Sequence, residues 1–86
     1  MKFTVTWAKS AENHLADLWS KSEDRESIRR ACDELDALLA VRPTSLGESR
    51  GANRRVAFVA PVGMEFKINE QDRTVLVLTV WKFRTR

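Results

Sequence analysis

The residues with chemical reach in this sequence are its cations, and they are unevenly spread. Arg42, Arg50, Arg54 and Arg55 fall within residues 42–55 beside one acid, Glu48, and Lys82, Arg84 and Arg86 crowd the last six residues with none. Residues 1–41 hold six basic and eight acidic side chains, and residues 56–80 hold two and three, so the formal net charge of +3 sits in two short segments. If the fold brings those segments together, they meet a polyanion or an acidic partner, because clustered guanidinium and ammonium groups neutralise phosphates and carboxylates. Trp81 and Phe83 alternate with the last cations, where a flat ring either stacks on a base or packs on a sheet. Trp7 and Trp19 read as core or as partner-facing surface.

Other chemistries are poorly supplied. His14 is the one histidine and Cys32 the one cysteine. No internal disulfide is possible, and the paired spacing of a zinc site is missing, which fits a reducing cytoplasm and no metal or other cofactor. Cys32 falls on an apolar helical stripe and behaves as a small hydrophobe. The start of the chain, Met1-Lys2-Phe3-Thr4-Val5, is too polar for a signal peptide, and no apolar run is long enough to span a membrane. At 86 residues the chain is read as one domain, residues 1–86, with a core just large enough to fold unaided.

The elements that would carry these residues follow from periodicity. Phe3, Val5 and Trp7 alternate with Lys2, Thr4 and Thr6, the two-residue period of a half-buried strand. Ala11, Leu15, Leu18 and Trp19 recur at three and four residues, predicting a short helix over 10–20 capped by Ser10. A second helix starts after a cap at Ser22 or Asp24 and buries Ile28, Ala31, Cys32, Leu35, Leu38 and Leu39. It stops near Val41 because Pro43 disfavours helix before it. Residues 44–53 have two glycines and no period, and read as a basic loop. Three strands follow, Arg55-Val56-Ala57-Phe58-Val59, Met64-Glu65-Phe66-Lys67-Ile68 and Thr74 through Val80, joined by turns at Pro61-Val62-Gly63 and Asn69-Glu70-Gln71-Asp72. The last is apolar on both faces and belongs in the sheet interior, with one face covered by helices and the other open to a partner or ligand.

The expected architecture is α+β, ordered β-α-α-β-β-β, a helical hairpin on a small antiparallel sheet. With Arg50-Gly51-Ala52-Asn53-Arg54-Arg55, the turn at Pro61 and Gly63 and the basic end after Val80, it resembles the RelE/ParE superfamily of toxins from type II toxin-antitoxin systems of the plasmid-stabilisation kind. The resemblance spans nearly the whole chain. It implies a protein restrained by a short acidic or amphipathic antitoxin from a neighbouring reading frame. When free, such a protein inhibits translation by ribosome-associated mRNA cleavage or, alternatively, poisons DNA gyrase. A degenerate, non-toxic member would only bind its antitoxin and operator. For the endoribonuclease, the resemblance places Arg55, Lys82 and Arg84 at the scissile phosphate, where cations stabilise the developing charge. It extends the nucleic-acid surface to Arg50, Arg54, Arg55, Lys82, Arg84 and Arg86. Trp7, Trp19, Trp81 and Phe83 are the expected partner contacts. The chain departs from the cleaving pattern at Ala57 and Glu65, and it has no tyrosine.

Overall fold

Residues 2–83 are described by a computed structural model. The chain runs β1 (Thr4–Trp7), α1 (Lys9–Lys21), α2 (Arg25–Val41), a single 3-10 turn (Pro43–Ser45), β2 (Glu48–Gly51), β3 (Arg54–Val59), β4 (Val62–Asn69) and β5 (Thr74–Lys82). The strands form one sheet in the order β1-β5-β4-β3-β2, with both helices on one side.

The helices begin by different means. α2 is capped by Asp24, whose carboxylate accepts the Ser27 amide at 3.2 Å and the Ser27 hydroxyl at 2.6 Å. These two donors satisfy charge at a helix start, where exposed amides favour an anion. Ser22 takes a lesser part, its hydroxyl accepting the Asp24 amide. α1 starts at Lys9 behind Ala8, without a side-chain cap. Ser10, expected as its cap, lies inside the first turn and donates its hydroxyl to the Leu78 carbonyl at 2.9 Å. The Ala8 amide donates to Val77, so the chain leaves β1 while still tied to β5 and carries α1 along that strand.

Burial follows the periodicities. Ile28, Ala31, Cys32, Leu35 and Leu39 of α2 and Ala11 of α1 are buried against Val62, Met64, Phe66 and Ile68 of β4 and Val75, Val77 and Val80 of β5. Full burial of the valine, leucine, isoleucine, phenylalanine and methionine side chains among them contributes roughly 1.5–3 kcal/mol each, so the α2 stripe and β4 carry much of the stability. The Trp7 indole packs at the margin and donates to Asp36 at 3.2 Å, linking β1 to α2.

Two features go beyond the expected hairpin-on-sheet plan. The segment read as a loop contains β2, antiparallel to β3 at the sheet edge, and all four of its residues are exposed. The N-terminal strand β1 pairs parallel to β5, Thr4 opposite Thr74 and Trp7 opposite Val77, so the sheet is mixed. β5 is interior, as its two apolar faces require. Left-handed backbone at Gly51, Ala52 and Asn53 makes the β2-β3 turn, and the peptide bond before Pro61 in the β3-β4 turn is cis.

Candidate nucleic-acid interface

Register decides which side chains share the open face. Arg54 pairs with Lys67, Val56 with Glu65 and Phe58 with Gly63 across β3 and β4, while Lys67 meets Leu76, Glu65 meets Thr79 and Gly63 meets Trp81 across β4 and β5. Because successive side chains alternate sides, Met64 and Phe66 point into the core and Glu65 and Lys67 point away from the helices. The open face therefore carries Arg54, Val56 and Phe58, then Gly63, Glu65 and Lys67, then Leu76, Thr79 and Trp81.

An aromatic patch occupies one end. Phe58, half exposed at 51 %, meets Trp81 edge-on at 6.0 Å and 78°, and Phe83 at 5.4 Å and 88°. The Trp81 ring lies over Gly63: a methyl group there would sit 2.6 Å from Cε2 of the indole. Glycine is required at that position for close approach, and Trp81 is thereby held flat on the sheet. The opposite end is polar. Lys67 and Leu76 line a concavity of about 540 Å³ with Asn53, Asn69, Gln71 and Thr74. Between the two ends Arg54 and Glu65 form a loose ion pair, 3.9 Å from Nη1 to Oε2, with Glu65 the more sheltered.

The cations singled out in the sequence take separate places. The Arg55 guanidinium donates from Nε to the Leu46 carbonyl at 2.8 Å and from Nη2 to the Gly47 carbonyl at 2.9 Å, on the side away from Arg54. Lys82 pairs in register with Val62, so it too lies on the helix side, lining a concavity of about 300 Å³ with Asp24, Ser27, Ala60 and Pro61. The Asp24 carboxyl is held below the usual carboxylate range first by the Ser27 hydrogen bonds, with a smaller contribution from Lys82. Arg55 and Lys82 are two strands and four residues apart, roughly 16 Å at ordinary strand spacings, and the described residues do not bring them to one point. Arg50 sits 3.7 Å from Glu48 on the exposed edge strand. Arg84 and Arg86 lie outside the described residues. Of the aromatic candidates, Trp81 and Phe83 join the open face, Trp7 braces α2, and Trp19 is an exposed ring on α1 with Arg25 5.8 Å from its centre.

No family model matches the sequence, and no curated protein does. Solved structures do match. A chain of the toxin-antitoxin complex RelBE2 from Mycobacterium tuberculosis superposes with a TM-score of 0.75 at 22 % identity, covering 98 % of this chain and 100 % of that one. The fold is that of the RelE and ParE toxins. The chromosomal ParDE system of P. aeruginosa gives 0.68 at 15 % identity over 95 % of this chain and 97 % of that chain. Isolated E. coli RelE gives 0.68 at 15 % over 98 % and 87 %. These superpositions span 95–98 % of this chain.

Sequence reasoning passed over Lys67 and Phe58 as members of this surface. The alternation Glu65-Phe66-Lys67 already gave Lys67 a wet face. What it lacked was the register that sets Lys67 opposite Arg54 and Phe58 beside Trp81.

Proposed function

We propose that this chain is the toxin of a type II toxin-antitoxin pair and inhibits translation by cleaving mRNA at the ribosome. The observation that carries the reading is the open sheet face, where paired cations, Arg54 and Lys67, lie on the same surface as the rings of Phe58, Trp81 and Phe83. Cations that track phosphates beside rings that accept bases are what single-stranded RNA binds. Arg84 and Arg86, directly after Phe83 in sequence, extend this cationic surface in the proposal, and Arg84 keeps its proposed place at the scissile phosphate. Arg55 supports the face by holding the Leu46-Gly47 backbone. Lys82 and Arg50 are proposed to meet polyanion backbone or antitoxin carboxylates outside it. The proposed partner is an acidic or amphipathic antitoxin segment that covers the open face, shielding its half-exposed apolar side chains and neutralising its cations. No helix among the described residues is long and apolar enough to cross a membrane, and the proposed site of action is the cytoplasm.

The test is tightly controlled expression with mapping of transcript ends. Growth arrest with new 5′ ends in translated messages is expected, and the double variant Arg54→Ala with Lys67→Ala is expected to remove both while leaving the protein folded. Arrest with intact transcripts and induced DNA-damage signalling would transfer the chain to the gyrase-poisoning reading. That reading draws on one observation: the Arg55 guanidinium is committed to two backbone carbonyls rather than free for a phosphate. Absence of any arrest would leave a non-toxic protein that binds an antitoxin and operator.

A further inference from the structure

His14, the chain's one histidine, reaches the open face from α1, and the reason is local to β5. Ala8 and Ser10 fasten the start of α1 to the Val77 and Leu78 carbonyls. One helical turn after Ser10, His14 Nδ1 lies 2.8 Å from Thr79 Oγ1. Strict alternation along β5 would put Thr79 on the core side with Val75 and Val77. It does not, because the ladder slips by one residue: Phe66 pairs with Val77 but Glu65 pairs with Thr79, leaving Leu78 as an inserted bulge residue. Such bulges re-aim side chains, and this one turns Thr79 outward, directly across from Glu65. Three polar groups from three elements thus form a row across the strands, His14, Thr79 and Glu65, with Arg54 3.9 Å beyond the carboxylate.

We propose that His14 and Glu65 are the general acid and general base of RNA cleavage, standing on either side of one phosphodiester, with Thr79 as the residue that positions the imidazole. The assignment rests on the RNA-cleaving reading above. Facing cross-strand side chains start ~5 Å apart, so with the 2.8 Å contact imidazole and carboxylate are on the order of 6–8 Å from each other, room for a phosphate between them. Thr79 occupies Nδ1 and fixes the ring, which leaves Nε2 for substrate. In the reaction, the Glu65 carboxylate takes the proton of the ribose 2′-hydroxyl as that oxygen bonds to the adjacent phosphorus. The bond from phosphorus to the 5′-oxygen breaks as protonated His14 gives that oxygen its Nε2 proton. The products are a 2′,3′-cyclic phosphate and a 5′-hydroxyl, and solvent returns each enzyme group to its starting state. Arg54 and Lys67 contact the non-bridging oxygens, where charge accumulates. The charged groups around the pair are Asp17, one turn along α1 from His14, and Arg54 and Lys67 on the far side of Glu65. β5 itself presents none between Thr74 and Trp81.

The experiment measures single-turnover cleavage of a short mRNA on programmed ribosomes by the full chain, His14→Ala, Glu65→Gln and Thr79→Val. Each variant is first shown to melt with a wild-type transition and to bind the RNA with unchanged affinity. A bell-shaped pH profile is expected for the wild type. His14→Ala loses the alkaline limb and Glu65→Gln the acidic limb, each with a fall of ~10²–10⁴-fold in rate, and Thr79→Val loses about tenfold. Substitution of sulfur for the 5′-bridging oxygen supplies a leaving group that needs no acid: it restores His14→Ala and leaves Glu65→Gln slow, which a structural role for either residue does not predict. Wild-type cleavage with both variants within threefold of it, or equal rescue of both by the sulfur substrate, overturns the pair and leaves the RNA reading standing. A wild type that cleaves nothing at any pH overturns both.

Discussion

Replacing Arg55 by alanine separates a framework role from a direct one at phosphate. Its guanidinium makes two hydrogen bonds, to the Leu46 carbonyl at 2.8 Å in part-buried surroundings and to the Gly47 carbonyl at 2.9 Å at the surface. A hydrogen bond from a charged donor contributes roughly 1.5–3 kcal/mol net. The exposed bond is discounted because water replaces it, and the pair together is set at about 2 kcal/mol. The loss falls on a segment that cannot easily rearrange, because Leu46 packs against the core and Gly47 has a left-handed φ of 69° at a place where a β-carbon would sit 2.0 Å from the Val56 carbonyl oxygen. For a domain of this size, 2 kcal/mol lowers Tm by roughly 8–16 °C. Arg55→Lys keeps the charge but not the planar fork, and is expected to lose about half as much. Arg54→Ala, which breaks only a loose surface pair, changes stability by less than about 0.5 kcal/mol. Thermal melts followed by far-ultraviolet circular dichroism, beside growth arrest for the same variants, check the set. An Arg55→Ala protein that melts within about 2 °C of wild type yet no longer arrests growth would refute the framework assignment and return Arg55 to the phosphate.

Two further outcomes follow from packing and burial. Gly63→Ala drives a methyl group into the Trp81 indole and costs about 1–3 kcal/mol, as overpacking does; in a double-mutant cycle with Trp81→Ala the two losses fall short of additive, whereas full additivity would mean that the rings do not meet. The Cys32 thiol is pushed from 9.0 to about 11, first by burial and then by Asp36 and Asp33, so alkylation at pH 8 proceeds only as fast as the protein opens. Since the folded value is the higher, the thiol's contribution to stability is complete below pH 9 and is lost as the pH rises from 9 towards 11; equal denaturation midpoints for wild type and Cys32→Ala across that range at matched offset would remove this linkage.

What could be read without the structure, and what could not, divides along physical lines. Ile28, Ala31, Cys32, Leu35 and Leu39 were legible as a buried stripe because a helix's apolar period is written in its own residues. The interior place of β5 was legible from two apolar faces. β2 was not, since Glu48, Ser49, Arg50 and Gly51 are all exposed and held by ladder hydrogen bonds alone, which leave no hydrophobic trace. Nor does alternation in β1 state whether its neighbour runs parallel or antiparallel. The same limit governs the candidate site. Arg54 and Arg55 are adjacent in sequence and equivalent in chemistry, but one residue of register sends one to the open face and the other to a pair of carbonyls. His14 was visible only as a lone histidine, because what gives it a neighbour is a one-residue bulge at Leu78.

The parallel pairing of β1 with β5 also governs the order in which the molecule can assemble. Thr4 lies beside Thr74, so strands some 70 positions apart along the chain must meet before the sheet closes, and the helices between them have nothing complete to pack on until then. Such long-range closure slows folding relative to helical proteins of the same length. As the chain is synthesised, everything up to Asp72 emerges before the strand that joins β1 to β4, and a product truncated there lacks both the link from β1 to the rest of the sheet and the support beneath His14. The open face is therefore completed late and all at once.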